Sequence, residues 1–174
     1  MQICLSILPL LLALVRVIIE ITKALWAKLE TQVTSMSNLE IVKHLYTAFR
    51  ERDTNTILEL FDPKIEWIQN EGFPGGGRHV GSDAVINDVF AKFGHDWQTW
   101  QVVVDEWLDA GDAIIALGEY RGTHKSTSKS MTAAFAHVYK LKNSRVVRFQ
   151  QYTDTLKIAS VIQPTHKLVV GDRV

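Results

Sequence analysis

Hydrophobic residues follow two different periods along the chain, and these periods predict two kinds of element. After residue 38, apolar positions recur every three or four residues and predict an amphipathic helix of about 14 residues. Shorter stripes at 57–61 and 85–93 predict two further helices, the first capped by Asp53 and the second by Ser82 or Asp83. The first stripe consists of Leu39, Val42, Tyr46 and Phe49.

From residue 97 onward, runs rich in β-branched and aromatic residues alternate with short turns. This pattern predicts an antiparallel meander of four strands, at 99–108, 113–122, 131–141 and 146–153. A short strand at 65–68, a glycine-rich loop at 70–78 and a closing helix at 155–161 complete the prediction. Helices followed by an antiparallel sheet indicate the α+β class.

Composition then narrows the classes of function. The 174 residues carry 19 basic and 19 acidic side chains, so the formal net charge is zero and a basic nucleic-acid-binding surface is not expected. Cys4 is the one cysteine, which excludes an intramolecular disulfide. No pair of histidines has a metal-ligand spacing such as H-x-x-x-H, so neither a metal nor another cofactor is predicted.

The first 36 residues differ from the rest of the sequence. Residues 3–19 are almost entirely apolar, although Arg16 interrupts them. Three interpretations stay open: an extension outside the fold with translation starting at Met36, a membrane anchor, and a secretory signal. The expected organisation is an extension at 1–36, a domain at 37–162 and an irregular tail at 163–174. We expect a cytoplasmic protein, with membrane contact through 3–19 as the alternative.

Four local phrases resemble the SnoaL-like branch of the NTF2-like superfamily, which includes ketosteroid isomerase. They are LYTAFRERDTNTILELFDPKIEW, VGSDAVINDVF, LDAGDAIIALGEYRGT and RVVRFQQYTDT, and the resemblance extends over about residues 38–162. It implies an NTF2-like cone, in which three N-terminal helices pack on a strongly curved antiparallel sheet around a cavity. It also implies a homodimer, because members of the superfamily commonly pair. Isomerases, cyclases, hydrolases and binding modules all use this fold.

The resemblance does not reproduce the residue set of ketosteroid isomerase. That enzyme combines a carboxylate base with an oxyanion hole made of a tyrosine and a protonated aspartate. The base position corresponds to Trp67, the protonated acid to His137, and the tyrosine to Leu45, one residue before Tyr46. The steroid-isomerase reaction itself is therefore not predicted.

His137 and Asp154 are the candidate catalytic residues. His137 shares a strand face with Phe135 and Tyr139, and a histidine with an ordinary pKa exchanges protons near neutral pH. The resemblance implies a catalytic aspartate near the end of the last strand, where Asp154 stands. The structural alternatives are a buried neutral histidine and a helix-capping aspartate. The candidate substrate-binding residues are Tyr46, Trp67, Tyr120, Phe135, Phe149 and Gln151.

Two hypotheses of function follow. The first is a cofactor-independent isomerase, cyclase or hydrolase that acts by general acid/base chemistry on a small, apolar, carbonyl-bearing substrate. The second is a ligand-binding or dimerisation module that has the same cavity and no turnover. A homodimer is expected to use the outer face of the sheet, with Val102, Val104, Ala134, Ala136 and Val138 as its apolar residues.

Overall fold

The computed structural model describes residues 7–34 and 36–163, with backbone only at 7–11, 29–34 and 92–94. The chain divides into two compact units, Met1–Ser37 and Asn38–Val174. Helix α1 (Ile7–Thr34) belongs to the first unit, and its apolar side chains from residue 12 to residue 28 are exposed. Among the described residues, no helix combines the length and apolar character needed to cross a membrane.

The second unit begins with the predicted amphipathic helix, α2 (Asn38–Glu51), which buries Ile41, Val42 and Leu45. Helix α3 (Thr54–Leu60) follows, and the predicted cap is confirmed because the Asp53 side chain accepts the Thr56 N–H. A third helix of mixed type, α4, and the closing helix, α5, come later in the chain.

Helix α4 differs from its prediction at its start and in its middle. It runs as an α-helical turn at Ser82–Ala84, a π-helical segment at Val85–Phe90 and a second α-helical turn at Ala91–Asp96. Gly81 is the N-terminal cap and no side chain takes that role, so the predicted cap by Ser82 or Asp83 is wrong. The closing helix is α5 (Thr155–Ile162).

Six strands form one curved, open sheet in the order β2-β1-β6-β5-β4-β3. The four long strands are confirmed and each extends beyond its predicted bounds. The predicted glycine-rich loop ends earlier than expected, because its last residues form β2. The strands are β1 (Phe61–Gln69), β2 (Gly77–Val80), β3 (Trp97–Asp109), β4 (Ala113–His124), β5 (Ser130–Lys142) and β6 (Arg145–Thr153).

One pairing makes the sheet mixed where an antiparallel sheet was expected. Strand β1 pairs with β6 in parallel, whereas the remaining neighbours are antiparallel. The sequence carries no signal for this contact, because it joins strands about 80 residues apart. It places Trp67 opposite Phe149 and therefore joins the first strand to the centre of the sheet.

The inner face of the sheet carries the buried residues. Directly paired residues on neighbouring strands point to the same face, so one row across the sheet consists of Gln151, His137, Ala116 and Trp107. Helix α2 covers this row, where Tyr46 contacts the Trp107 ring at a centroid distance of 5.0 Å. Helix α5 buries Ile158 and Val161 in the same apolar cluster as Phe135.

The register also decides which valines lie on the outer face. Val102 pairs with Tyr120 and Val104 with Gly118, which places both valines on the inner face. Their expected position on the outer face is therefore wrong. Val103 pairs with Glu119, which in turn pairs with Ala134, and it is Val103 that lies on the outer face with Ala134, Ala136 and Val138.

Candidate functional site

His137 lies at the centre of the inner face. Strand β5 alternates strictly between covered and more exposed positions, so Phe135, His137 and Tyr139 share one face, as predicted, and all three are buried. The imidazole is 5% exposed and stacks on the Phe135 ring at a centroid distance of 4.0 Å and an angle of 16°. A histidine in this position must find hydrogen bonds inside the protein.

Two tyrosines from distant parts of the chain supply these hydrogen bonds. The Tyr46 hydroxyl on α2 lies 2.6 Å from Nδ1 of His137, and the Tyr120 hydroxyl on β4 lies 2.5 Å from Nε2. A neutral imidazole has one N–H donor and one acceptor nitrogen. One tyrosine therefore donates to the ring, and the other accepts from it.

The network continues beyond both tyrosines. Gln151 Nε2 donates to the Tyr120 hydroxyl oxygen at 2.7 Å, and the Asn70 backbone N–H donates to Gln151 Oε1 at 3.3 Å. The Asn70 contact fixes the orientation of the Gln151 amide, because a backbone N–H requires the amide oxygen as its partner. At the other end, Tyr139 shares a hydrogen bond with the Tyr46 hydroxyl.

Among the three tyrosines and His137, the network holds one donor more than their mutual contacts use. Three contacts join Tyr139 to Tyr46, Tyr46 to His137, and His137 to Tyr120. Three hydroxyl protons and one imidazole proton are present for these contacts, because each hydroxyl and the neutral ring contribute one. One tyrosine hydroxyl is therefore free to donate to another acceptor.

Burial holds all of these groups in their neutral forms. Desolvation lowers the pKa of His137 to about 3, and it raises the pKa of Tyr46, Tyr120 and Tyr139 above the ordinary value. The sequence-based argument that His137 exchanges protons near pH 7 with an ordinary pKa does not hold in this environment. At pH 7 the network offers neutral hydrogen-bond donors and acceptors.

The other predicted binding residues surround His137, and they pack closely together. Trp67 stacks on Phe149 at a centroid distance of 3.7 Å, and Phe149 lies edge-on to His137 at 5.0 Å. The ring centroids of Tyr120 and Phe135 lie 4.7 Å apart. The structure thus brings together His137, Tyr46, Trp67, Tyr120, Phe135, Phe149 and Gln151. Their roles in binding and catalysis stay predictions.

Asp154 does not join this group. Its side chain is exposed at the start of α5, where it accepts the backbone N–H of Lys157 at 3.2 Å. Asp154 is therefore the N-terminal cap of α5, which is the structural alternative considered for this residue. Its catalytic role stays a prediction.

A pocket of about 340 Å³ lies beside Phe73, at the end of β4. Phe73 also contacts the Tyr120 ring at a centroid distance of 5.7 Å, so one ring borders both the pocket and the network. His124 lines the pocket, although it was assigned only to a polar turn by the sequence pattern. The signal was the alternation Tyr120, Gly122, His124, which places three residues on one strand face. The full lining is Gly72, Phe73, Pro74, Asp96, Trp97, His124, Ala159, Ile162 and Gln163.

Helices packed on one curved, open sheet with a buried polar network define an NTF2-like α+β protein. The sequence model of the SnoaL-like domain matches residues 42–149. The chain therefore belongs to the SnoaL-like family. A comparison with curated proteins found no match.

Solved structures show the same fold. An NTF2-like protein from Burkholderia thailandensis is 34% identical over 74% of this chain and 99% of its own, with a TM-score of 0.71. An NTF2-like protein from Burkholderia pseudomallei is 29% identical over 74% of this chain and 100% of its own, with a TM-score of 0.68. TerC, crystallised with polyporic acid, is 23% identical over 73% of this chain and 98% of its own, with a TM-score of 0.66.

The depressed pKa of His137 predicts a specific dependence of stability on pH. The unfolded chain takes up a proton on this residue near pH 6.5, whereas the folded chain does so near pH 3. The part of the folding stability that depends on neutral His137 is therefore complete well above pH 6.5. It is lost as the pH falls through 6.5 towards 3, because the unfolded chain then binds a proton that the folded chain does not. Between pH 7.5 and 5.5, this residue alone lowers the free energy of unfolding by about 1.4 kcal/mol.

Urea unfolding at pH 7.5 and at pH 5.5 measures the fall in the free energy of unfolding. In His137→Gln this fall should be smaller by about 1.4 kcal/mol. In the exposed control His44→Gln it should equal that of the wild type. NMR gives an independent check, since the His137 ring signals should not titrate between pH 5 and 8. A titration midpoint near 6.5 would contradict the neutral, desolvated state.

Proposed function

We propose that this protein binds a small apolar molecule through an acceptor oxygen, such as a carbonyl, and that the tyrosine–histidine–tyrosine network hydrogen-bonds that oxygen. The surplus hydroxyl proton is the observation that carries this proposal. A buried donor without a partner costs about 1–3 kcal/mol, so a ligand oxygen that accepts it is stabilised. The aromatic rings around the network supply apolar contact with the body of the ligand.

Tyr120 is the hydroxyl that best fits this role. Gln151 donates to its oxygen, and His137 can donate to the same oxygen through Nε2. When both do so, the Tyr120 proton is left for the ligand. Such a donor resembles one half of an oxyanion hole, because it is neutral, fixed and shielded from water.

Unpaired polar atoms beside the network also support a bound polar molecule. Trp67 Nε1, Gln69 Oε1 and Asn70 Oδ1 are buried and have no hydrogen-bond partner within the described part of the chain. Ile68 pairs with Gln150 in the parallel register, so Gln69 lies beside Gln151, one position further along. One N–H donor and two acceptor oxygens at the edge of the network are thus available to a ligand.

The relatives agree with this class of ligand. TerC was crystallised with polyporic acid, and a protein of ketosteroid isomerase-like fold from Catenulispora acidiphila was crystallised with trimethylamine. The zero net charge of this chain also suits a neutral ligand. A cofactor is not part of the proposal, and the cytoplasmic location stays a prediction.

If the ligand binds through a carbonyl, the protein should prefer a ketone to the matching hydrocarbon, and Tyr120→Phe should remove this preference. The ketone 1-acetonaphthone should bind at least about tenfold more tightly than 1-ethylnaphthalene, since one hydrogen bond separates them. In Tyr120→Phe this preference should fall to about one, while the exposed control Tyr152→Phe retains it. Fluorescence titration gives the affinities, and the infrared carbonyl stretch reports the hydrogen bond. Equal binding of both compounds to the wild type would contradict the proposal.

Turnover by proton transfer at the carbonyl is a second candidate function. The observation in its favour is that both ring nitrogens of His137 are hydrogen-bonded to hydroxyls, so a tautomer change can accompany enolisation of the ligand. Nε2 passes its proton to Tyr120 as Tyr120 passes its own proton to the carbonyl oxygen. Nδ1 takes the Tyr46 proton, and Tyr46 is reprotonated by the proton that leaves the α-carbon. No Asp or Glu side chain is among the buried polar residues of the described chain, which favours binding as the first candidate.

Catalysed exchange of the methyl protons of 1-acetonaphthone in deuterated water distinguishes turnover from binding. If the second candidate is correct, NMR should show exchange above the buffer rate, and His137→Gln should abolish it. Asp154→Asn keeps a capping oxygen and should retain the exchange, whereas a loss in that variant would assign the catalytic role to Asp154. Exchange at the buffer rate in the wild type leaves a binding protein without turnover.

We also propose that the outer face of the sheet joins two copies of the chain. Tyr152 is 54% exposed there and pairs with Ala136, next to the partly exposed Val138. The ion pair Glu119–Arg121 lies beside this apolar centre, and Glu66 binds Arg78 and Arg148 on its other side. An apolar centre with a charged rim is typical of a protein interface.

A dimer through this face should be abolished by one charge at its centre. Light scattering of the wild type should give twice the chain mass of 19.7 kDa, and Ala136→Arg should give a monomer. Leu156→Arg is the matched control, because Leu156 is 79% exposed on α5 and lies away from this face. A monomeric wild type at micromolar concentration would contradict the proposal.

A further inference from the structure

The pocket beside Phe73 contains a histidine whose tautomer can be derived from its neighbours. The Thr127 hydroxyl donates to the Val161 carbonyl oxygen at 2.6 Å, and a carbonyl can only accept. The contact of 3.2 Å between Thr127 Oγ1 and Nδ1 of His124 must therefore be a donation from His124. Ser126 Oγ also lies 3.3 Å from Nδ1.

These contacts place the proton of neutral His124 on Nδ1 and leave the lone pair on Nε2. Within residues 7–34 and 36–163, Nε2 has no hydrogen-bond partner. The ring is 7% exposed and lines the pocket, so Nε2 is the ring nitrogen left to face it. The pocket thus offers an acceptor that needs an N–H or O–H group.

Aromatic and aliphatic side chains form most of the remaining wall. Trp97 lies edge-on to His124 at a centroid distance of 5.4 Å, and Phe73 and Ile162 also line the pocket. Gly122 makes this wall possible, since a Cβ there would lie 2.9 to 3.0 Å from the Trp100 and Trp97 rings. A flat apolar ligand fits such walls.

The charges at the rim disfavour a cation as the donor. Lys125 Nζ donates to the His95 carbonyl at 2.7 Å, and Lys129 Nζ donates to the Gln163 carbonyl at 3.1 Å. Asp96 is the one carboxylate among the lining residues, and it already contacts Nδ1 of His95 at 2.9 Å. Each ammonium group thus binds a carbonyl at or next to a lining residue, and these two positive charges outnumber the one lining carboxylate, which favours a neutral hydroxyl over an ammonium group as the ligand donor.

We propose that this pocket binds a small hydroxy-aromatic molecule, whose phenolic O–H donates to Nε2 of His124 while its ring packs against Phe73 and Trp97. This site does not rest on the function proposed for the tyrosine–histidine–tyrosine network, because it uses none of those residues.

Two matched probes test the assignment on the full chain. The compound 2-naphthol should bind at least about tenfold more tightly than 2-methoxynaphthalene, which lacks the donor. Binding of 2-naphthol should also shift the ¹⁵N signal of His124 Nε2 more than that of Nδ1. A ratio below about two, or a Nε2 signal that does not move, would overturn the proposal.

Variants separate the hydrogen bond from the pocket itself. In His124→Phe the preference for 2-naphthol should fall to about one while 2-methoxynaphthalene binds as before, and His44→Gln should behave as the wild type. A retained preference in His124→Phe would overturn the proposal. Should His124→Phe fail to fold, Ala159→Phe fills the pocket from α5 and should abolish binding of both probes, whereas undiminished binding would overturn it.

Discussion

The burial of His137 is the constraint on which the inner face of this protein depends. A buried imidazole must be neutral, because its charged form would lose its hydration, and both ring nitrogens then need partners. Tyr46 and Tyr120 provide these partners from α2 and β4. The hydrogen bonds therefore join the first helix of the unit to two neighbouring strands of its sheet, β5 and β4. Phe135 stacks on the imidazole and Phe149 lies edge-on to it, and these rings exclude the water that would otherwise compete for its hydrogen bonds.

This constraint also changes what the site can do chemically. A histidine with a pKa near 3 is a poor base at pH 7, and no carboxylate lies beside it among the described residues. The strength of the site lies in neutral donors of fixed geometry, which suit an acceptor oxygen in a dry environment. Asp154, the carboxylate expected to assist, caps α5 instead and thereby holds the helix that closes this end of the apolar cluster.

Much of the fold follows from local periodicity. The stripe from Leu39 to Phe49 predicted α2, and alternation predicted the four long strands, because each element must bury one face. The parallel pairing of β1 with β6 has no periodic pattern in the sequence, since it depends on where the intervening chain brings the two strands. The register of β3 shifts twice, between Trp97 and Thr99 and between Val104 and Glu106. A one-residue shift moves side chains to the opposite face, so the faces of Val102 and Val104 could be assigned only from the pairing of β3 with β4.

The same division applies to the candidate site. The sequence by itself determined that Phe135, His137 and Tyr139 share a face, since side chains alternate along a strand. It also pointed to six aromatic or polar neighbours, which the structure places around His137. Only the tertiary structure decided that Tyr46, 91 residues away, meets Nδ1, that burial lowers the pKa of His137, and that His124 faces a pocket. Hydrogen bonding and desolvation depend on distances between elements, and those distances exist only once the helices have packed on the sheet.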